Sequence, residues 1–306
     1  MAFSDVYRRQ VELLVRTPPH VAEEDCFALK GGTAINLFYR DLPRLSVDID
    51  LTYLPLADRK ESLADIDAAL KRIAQRIEAA EDRVAVTRSA PATQDTISKL
   101  VIRTRDRVQI KIEVTPVLRG SLYEPKLMAV SPQTEDAFGF AEMSVLPFPD
   151  LFAGKILAAL DRQHPRDLFD VHQLLDNEGI TDALRTAVIV YMISHDRTPQ
   201  RLLRLPCRDI QHDYDNNFTG MTAEDPPLDR LIAAHEALVT QLLEGMPPAH
   251  RQFVISFFRG EPDWALIGEE GVEDLPAVRW RQINLERAGR DTRSEIVSEL
   301  EDLLGV

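Results

Sequence analysis

Residues 45–53, LSVDIDLTY, place polar and apolar side chains in strict alternation. Because successive side chains of a β-strand point to opposite faces, the apolar residues at the odd-numbered positions predict a buried face. Asp48 and Asp50 lie on the other face, roughly 7 Å apart along the strand. The segment therefore predicts a strand that packs on a core and presents two carboxylates.

A Gly-Gly-Thr turn, Gly31 to Thr33, precedes this strand. Glycines allow the backbone to approach an anion closely, and the free amides at a helix start favour phosphate. Thr33 is a good N-cap residue, so we expect a short helix over 33–40 that begins at Thr33. The turn is typical of a phosphate-binding loop, although a Gly-Gly pair alone is most often only a turn.

A second strand is predicted over 108–115, where the same alternation puts Glu113 on the polar face. If this strand neighbours the first, Glu113 lies beside Asp48 and Asp50. Three carboxylates on adjacent strands form the ligand set of a two-metal phosphoryl-transfer site, with Mg²⁺ or Mn²⁺ as the metal. Taken singly, each carboxylate reads as a solvated surface residue; their combination with the turn indicates a site.

The pattern of polar and apolar residues changes after Pro147 and Pro149. Before them, helical patterns over 4–16 and 62–80 accompany strand patterns. After them, apolar residues recur at helical spacing, up to a last helix over about 291–304, and strand signals are rare. An α/β half followed by a helical half is expected.

Charge and targeting signals restrict the partners of the protein. The net charge is −14, so a phosphate-rich ligand must meet a local basic patch or a bound metal. The best candidate patch is formed by Arg197, Arg201, Arg204 and Arg208, which would line one helix face, within limits set by two prolines. The polar N-terminus, the absence of an apolar run of membrane-spanning length and the two separated cysteines favour the cytoplasm, without membrane association.

The sequence GGTAINLFYRDLPRLSVDIDL followed by IKIEV resembles the nucleotidyltransferase superfamily with a DNA polymerase β-like palm. More narrowly, Gly-Gly-Thr-Ala with Arg-x-Ser-x-Asp-hydrophobic-Asp is similar to the AbiEii/AbiGii toxin family of bacterial type IV toxin–antitoxin systems. The resemblance covers roughly residues 25–180. It implies an α+β fold, with an N-terminal nucleotidyltransferase palm (a mixed sheet with helices) over 1–149 and a helical domain over 150–306.

The resemblance also implies site residues beyond the strands. In DLFAGKILAALDRQHPRDLF, Lys155 matches a family lysine that would contact the nucleotide phosphates, and Asp167 matches a family aspartate of the active site. Asp167 also precedes an apolar-periodic helix, so we expect it to be the N-cap of that helix. Asp170 would orient Lys155 or Arg166. Ser46, in the Arg-x-Ser-x-Asp motif, would join Gly31, Gly32, Thr33 and Lys155 in nucleotide binding.

The function implied is transfer of a nucleoside monophosphate from a nucleoside triphosphate to RNA, with the tRNA 3′ end as the favoured acceptor and arrested translation as the consequence. Asp48 and Asp50 would bind both metal ions, and Glu113, where many relatives have aspartate, would complete the site. A separately encoded DNA-binding antitoxin is the expected partner, with no direct contact assumed. Two alternatives stay open: a nucleotidyltransferase that modifies small molecules such as antibiotics, and a non-catalytic nucleotide-binding module.

Overall fold

The computed structural model describes residues 3–91, 96–204 and 206–306. The chain forms two compact units. The first comprises Met1–Pro147 and Phe218–Asp225, and the second comprises Phe148–Asn217 and Pro226–Val306. The domain limits expected from the sequence, 1–149 and 150–306, remain a prediction.

The first unit is built on a seven-stranded sheet with the order β3-β4-β5-β2-β1-β7-β6. Its strands are β1 (Phe27–Lys30), β2 (Asp48–Tyr53), β3 (Val84–Ser89), β4 (Lys99–Thr104), β5 (Gln109–Val114), β6 (Lys126–Ala129) and β7 (Glu142–Val145). The β2–β5 and β1–β7 pairs are parallel and the other pairs are antiparallel. The sheet is therefore mixed, as predicted.

The strands whose alternation is clear in the sequence, β2 and β5, form where expected. In β5 the side chains of Ile110, Ile112 and Val114 are buried, and those between them are half-buried. Strand β1 shows no alternation because three of its four residues are buried, and β6 shows none because nearly all its residues are exposed. Period-two patterning thus marks only the strands that have one buried face.

The helices of the first unit are α1 (Asp5–Val15), α2 (Pro18–Val21), α3 (Gly31–Thr33), α4 (Arg59–Ala80) and α5 (Pro132–Phe138), and α3 continues as a π-helix over Ala34–Tyr39. Helix α4 begins after Asp58, whose carboxylate accepts a hydrogen bond of 2.9 Å from the backbone N–H of Glu61. Its buried residues, among them Ile66, Ile73 and Ile77, recur at helical spacing and face the core.

The segment 218–225 belongs to the first unit through backbone contacts. The N–H of Leu45, just before β2, donates to the carbonyl of Met221 at 2.7 Å, and Arg44 forms a β-bridge with Thr222. The N–H of Ser4 donates to the carbonyl of Gly220 at 3.0 Å. A stretch from the later part of the sequence therefore supports the loop that leads into β2.

The second unit is helical. Its helices are α6 (Phe148–Arg162), α7 (Pro165–Asn177), α8 (Asp182–Ser194), α9 (Pro199–Leu203), α10 (Gln211–Asn217), α11 (Leu228–Glu244), α12 (Pro248–Arg259) and α13 (Pro276–Leu304). Helix α6 packs against α7 and α8, and α7 packs against α11. Helix α13 begins well before the expected 291 and is interrupted at Gly289, whose φ of 82° and ψ of 170° are not helical. The helical half and the mixed sheet together confirm the α+β class.

None of the helices in the described ranges is long and apolar enough to cross a membrane.

Candidate active site

The Gly-Gly turn lies directly against the acidic face of β2. Gly31 follows the last residue of β1 with a φ of +73°, a conformation that favours glycine. A Cβ atom on Gly31 would lie 2.5 Å from Asp50 Oδ2. A Cβ atom on Gly32 would lie 2.7 Å from Arg44 Nη2 and 2.9 Å from Ser46 Oγ. Both glycines are therefore needed for the backbone to approach these side chains.

The prediction that Thr33 is an N-cap was wrong. Because Gly31 adopts a positive φ, the chain turns from β1 straight into a helix that begins at Gly31, and Thr33 already has helical dihedral angles. The buried Thr33 hydroxyl instead donates to the backbone carbonyl of Asp48 at 2.5 Å and lies 3.1 Å from Ser46 Oγ. The threonine therefore fixes the start of β2 against the turn.

Asp48 and Asp50 are both half-buried, and Ile49 between them is fully buried. The two aspartates thus occupy the same face of β2. The parallel pairing of β2 with β5 places Asp50 opposite Glu113. The three carboxylate-bearing residues therefore lie on adjacent strands, with two of them in register.

The side chain of Glu113 forms an ion pair with a residue of β4, which neighbours β5 on the side opposite β2. Its Oε1 atom lies 2.5 Å from Nζ of Lys99, on β4. Within the ranges that the structure describes, no group of three or more His, Cys, Asp or Glu side chains is placed to hold a metal ion. The type of ligand and the strand placement fit a hard divalent cation, but Glu113 would have to exchange Lys99 for the metal.

Lys30 is a member of this cluster that the sequence analysis missed. It pairs with Asp50 in the antiparallel register of β1 and β2, and its Nζ donates to Thr115 Oγ1 at 3.0 Å. Burial lowers the pKa of Lys30, and the negative charge of Asp50 opposes this shift. Its position directly before the glycine turn was the available sequence signal.

A second cluster lies in the second unit around Lys155, a buried residue of α6. Its Nζ lies 2.8 Å from Asp167 Oδ1 and 3.0 Å from Asp170 Oδ2, and both carboxylates are buried. Arg162 Nε, which the sequence analysis did not single out, lies 2.6 Å from Asp167 Oδ2. Burial acts to raise the pKa of Asp167, but the charges of Lys155 and Arg162 and their hydrogen bonds outweigh it and hold the pKa well below its usual range.

The prediction that Asp167 is an N-cap was also wrong. Pro165 takes the first position of α7, which proline favours, so the cap falls on His164 and Asp167 becomes the third residue of the helix. His164 Nδ1 accepts a hydrogen bond of 3.2 Å from the backbone N–H of Arg166. The Asp167 carboxylate therefore remains in the first turn, where negative charge is favourable, and is available to Lys155.

The cap makes stability depend on pH. Burial, and next the charge of Arg166, lower the pKa of His164 to about 4, whereas an unfolded chain has a histidine pKa of about 6.5. As the pH falls through this interval, the unfolded state takes up protons first, so the free energy of unfolding decreases. Asparagine caps a helix without titrating. We therefore expect the free energy of unfolding of His164→Asn, measured by urea titration, to fall less than that of the wild type between pH about 6.5 and about 4.

The exposed His212 offers the matched control for this experiment. His212→Asn should keep the pH dependence of the wild type. If His164→Asn leaves the pH dependence unchanged, the cap does not carry it.

The predicted site residues thus form two clusters, one in each unit. No curated protein sequence matches the chain. Among solved structures, the fold is similar to that of MenT4, a nucleotidyltransferase toxin from Mycobacterium tuberculosis H37Rv, with a TM-score of 0.58 and 15% identity. The match covers 91% of this chain and 94% of that chain, and it shows a shared fold.

The family model described as nucleotidyl transferase AbiEii toxin, type IV toxin–antitoxin system, matches residues 12–280. This match confirms the resemblance drawn from the Gly-Gly-Thr-Ala and Arg-x-Ser-x-Asp-x-Asp motifs. The chain belongs to the AbiEii family of nucleotidyltransferase toxins.

Proposed function

We propose that the protein transfers a nucleoside monophosphate from a nucleoside triphosphate to a hydroxyl of RNA, with the tRNA 3′ end as the favoured acceptor, and so arrests translation and growth. The observation that carries the proposal is the close approach of the Gly-Gly turn to the acidic face of β2, where a Cβ atom on Gly31 would lie 2.5 Å from Asp50 Oδ2. A phosphate at the turn would there lie next to the carboxylates. Phosphoryl transfer needs this arrangement, because metal ions bridge carboxylates to the substrate phosphates.

The residues that would hold the metal are Asp48 and Asp50, with Glu113 as a third ligand once it leaves Lys99. Two Mg²⁺ ions, or Mn²⁺ in their place, would supply charge neutralisation on the triphosphate and activation of the acceptor hydroxyl. Lys30 and Lys99 balance the negative charge of the carboxylates when no substrate is bound. Their presence allows several like charges to lie on neighbouring strands.

The turn residues would position the phosphates. The backbone amides of Gly31, Gly32 and Thr33 belong to the first turn of a helix, where N–H groups lack partners within the helix. Ser46 and Thr33 are both buried. Their hydroxyls would therefore hold the turn in place instead of contacting the phosphates from the solvent side. Correct placement of the triphosphate supplies much of the rate enhancement in such reactions.

We propose that Lys155 contacts the nucleotide phosphates and that Asp167 and Asp170 orient it. An ammonium group has three N–H donors, and its contacts with the two carboxylates use two of them. In the proposed contact, the third donor would bind a phosphate oxygen. A separately encoded DNA-binding antitoxin completes the proposed system.

The direct test incubates the purified protein with each labelled nucleoside triphosphate, Mg²⁺ and total tRNA. Label should enter tRNA with at least one nucleotide, disappear with a chelator and return with added Mg²⁺. Parallel reactions contain small hydroxyl acceptors in place of tRNA. Label in the small acceptors alone would support the antibiotic-type alternative, and nucleotide binding without transfer would support the binding module.

A further inference from the structure

An open pocket of about 410 Å³ lies in the second unit and is lined by Arg197, Gln200, Arg201, Arg204 and Glu299. We refer to it as the arginine pocket. Its residues come from α9, the segments that flank it, and the last part of α13. The pocket contains three of the four arginines that the sequence analysis grouped as a basic patch.

The fourth arginine of that group does not belong to the pocket. Helix α9 covers only Pro199–Leu203, so the helix face expected for the four arginines, within the limits set by two prolines, does not extend to Arg208. Arg208 lies beyond the helix, and its Nη2 is 2.5 Å from Asp213 Oδ2. The structure thus replaces a four-residue stripe by a compact group of three.

Two of the three guanidinium groups are uncompensated. Arg201 and Arg204 are exposed, and in the described part of the chain their side chains make no hydrogen bond or ion pair. They lie three residues apart in helical backbone, so their side chains emerge close together. Arg197, in contrast, forms an ion pair with Asp161, with Nε 2.8 Å from Oδ1.

The acidic residue of the pocket is hydrogen-bonded to a neutral side chain of the same pocket. Glu299 Oε2 accepts a hydrogen bond of 2.7 Å from Nε2 of Gln200, whose side chain is buried. A carboxylate only accepts hydrogen bonds, so this contact fixes the orientation of the Gln200 amide. With Asp161 and Glu299 counted against the three arginines, the pocket keeps a positive balance in a protein of net charge −14.

We propose that the arginine pocket binds the phosphate backbone of the RNA acceptor, with Arg201 and Arg204 contacting phosphates. Guanidinium groups bind phosphate oxygens through paired, charge-assisted hydrogen bonds. Since neither side chain has an acidic partner among the residues that the structure describes, no ion pair with them has to break before phosphate binds. The inference rests on the proposed function, which identifies the acceptor as RNA, and it explains how so acidic a protein holds a polyanion.

The test measures binding of a fluorescently labelled tRNA transcript at several salt concentrations to the wild type and to the double variant Arg201→Ala/Arg204→Ala. Affinity should fall about tenfold or more, because two phosphate contacts are lost. The slope of log affinity against log salt should flatten by about 1.4 to 1.8, since each phosphate contact contributes about 0.7 to 0.9. The matched control is Arg230→Ala/Arg290→Ala, which removes two exposed arginines of the same unit outside the pocket.

The transfer assay separates failure of this inference from failure of the proposed function. If the wild type binds tRNA through Arg201 and Arg204 but transfers no nucleotide to it, the proposed function fails and the pocket assignment stands. If the wild type labels tRNA, and the pocket variant matches the control variant in affinity and salt slope, the pocket assignment is overturned. Tighter binding of poly-glutamate than of tRNA, lost in the pocket variant, would also overturn it and indicate a surface for an acidic protein.

Discussion

Asp48→Asn should lower the rate of nucleotide transfer at least about a thousandfold while the protein remains folded. The substitution keeps the shape of the side chain and removes the charge that a divalent cation requires. The backbone carbonyl of Asp48, which accepts the hydrogen bond from Thr33, is unaffected. Initial rates with labelled nucleotide and tRNA measure the loss, and thermal unfolding followed by circular dichroism checks the fold.

Asp25→Asn is the matched control, because Asp25 is an exposed aspartate of the same unit. It should retain full activity. Asp50→Asn is a less clean test, since Asp50 also compensates the charge of the half-buried Lys30. Glu113→Gln should be as inactive as Asp48→Asn if Glu113 becomes a metal ligand. Full activity of Asp48→Asn would remove the carboxylates from the proposed mechanism.

Lys155→Met should lower the free energy of unfolding by about 3 to 5 kcal/mol, because it removes one partner from a buried ion-pair group. Asp167 and Asp170 are 0% and 1% exposed and would lose the ammonium that both contact. Arg162 compensates Asp167, but its own side chain is 59% exposed and screened by water. Urea unfolding near neutral pH gives the difference.

The difference in the free energy of unfolding between the wild type and Lys155→Met should become smaller at acidic pH. The pKa of Asp167 is held below its unfolded value of about 3.9, so the stability it contributes is present above that pH and lost as the pH falls towards the folded pKa. Lys126→Met, which removes an exposed lysine, should stay within about 0.5 kcal/mol of the wild type. A similarly small change for Lys155→Met would mean that the buried carboxylates are compensated in another way.

The part of the fold that the sequence predicted is the part in which burial differs between the two faces of an element. Strands β2 and β5 each have one buried face, and the structure pairs them in parallel. The short strands β1 and β6 have no such difference between their faces, because β1 is almost wholly buried and β6 is almost wholly exposed. No periodicity could therefore reveal them.

The sequence predicted which residues belong to the candidate site, but it did not predict all the side chains that these residues contact. The carboxylates could be placed from alternation alone, because residues of one strand keep their faces. The contact of Glu113 with Lys99 depends on the register of β5 against β4, which the sequence pattern does not set. The two incorrect caps, Thr33 and Asp167, share a cause: a residue just upstream, Gly31 or Pro165, starts the helix earlier.

Because residues 218–225 belong to the first unit, they limit where the chain can be truncated. A fragment that ends at residue 149 would keep Asp48, Asp50 and Glu113 but lose the carbonyl of Met221 that accepts the Leu45 amide. It would also lose the bridge between Arg44 and Thr222. The smallest contiguous piece that retains the whole first unit extends to residue 225 and therefore includes most of the helices around Lys155. In this chain the first unit is therefore not separable by truncation after residue 149.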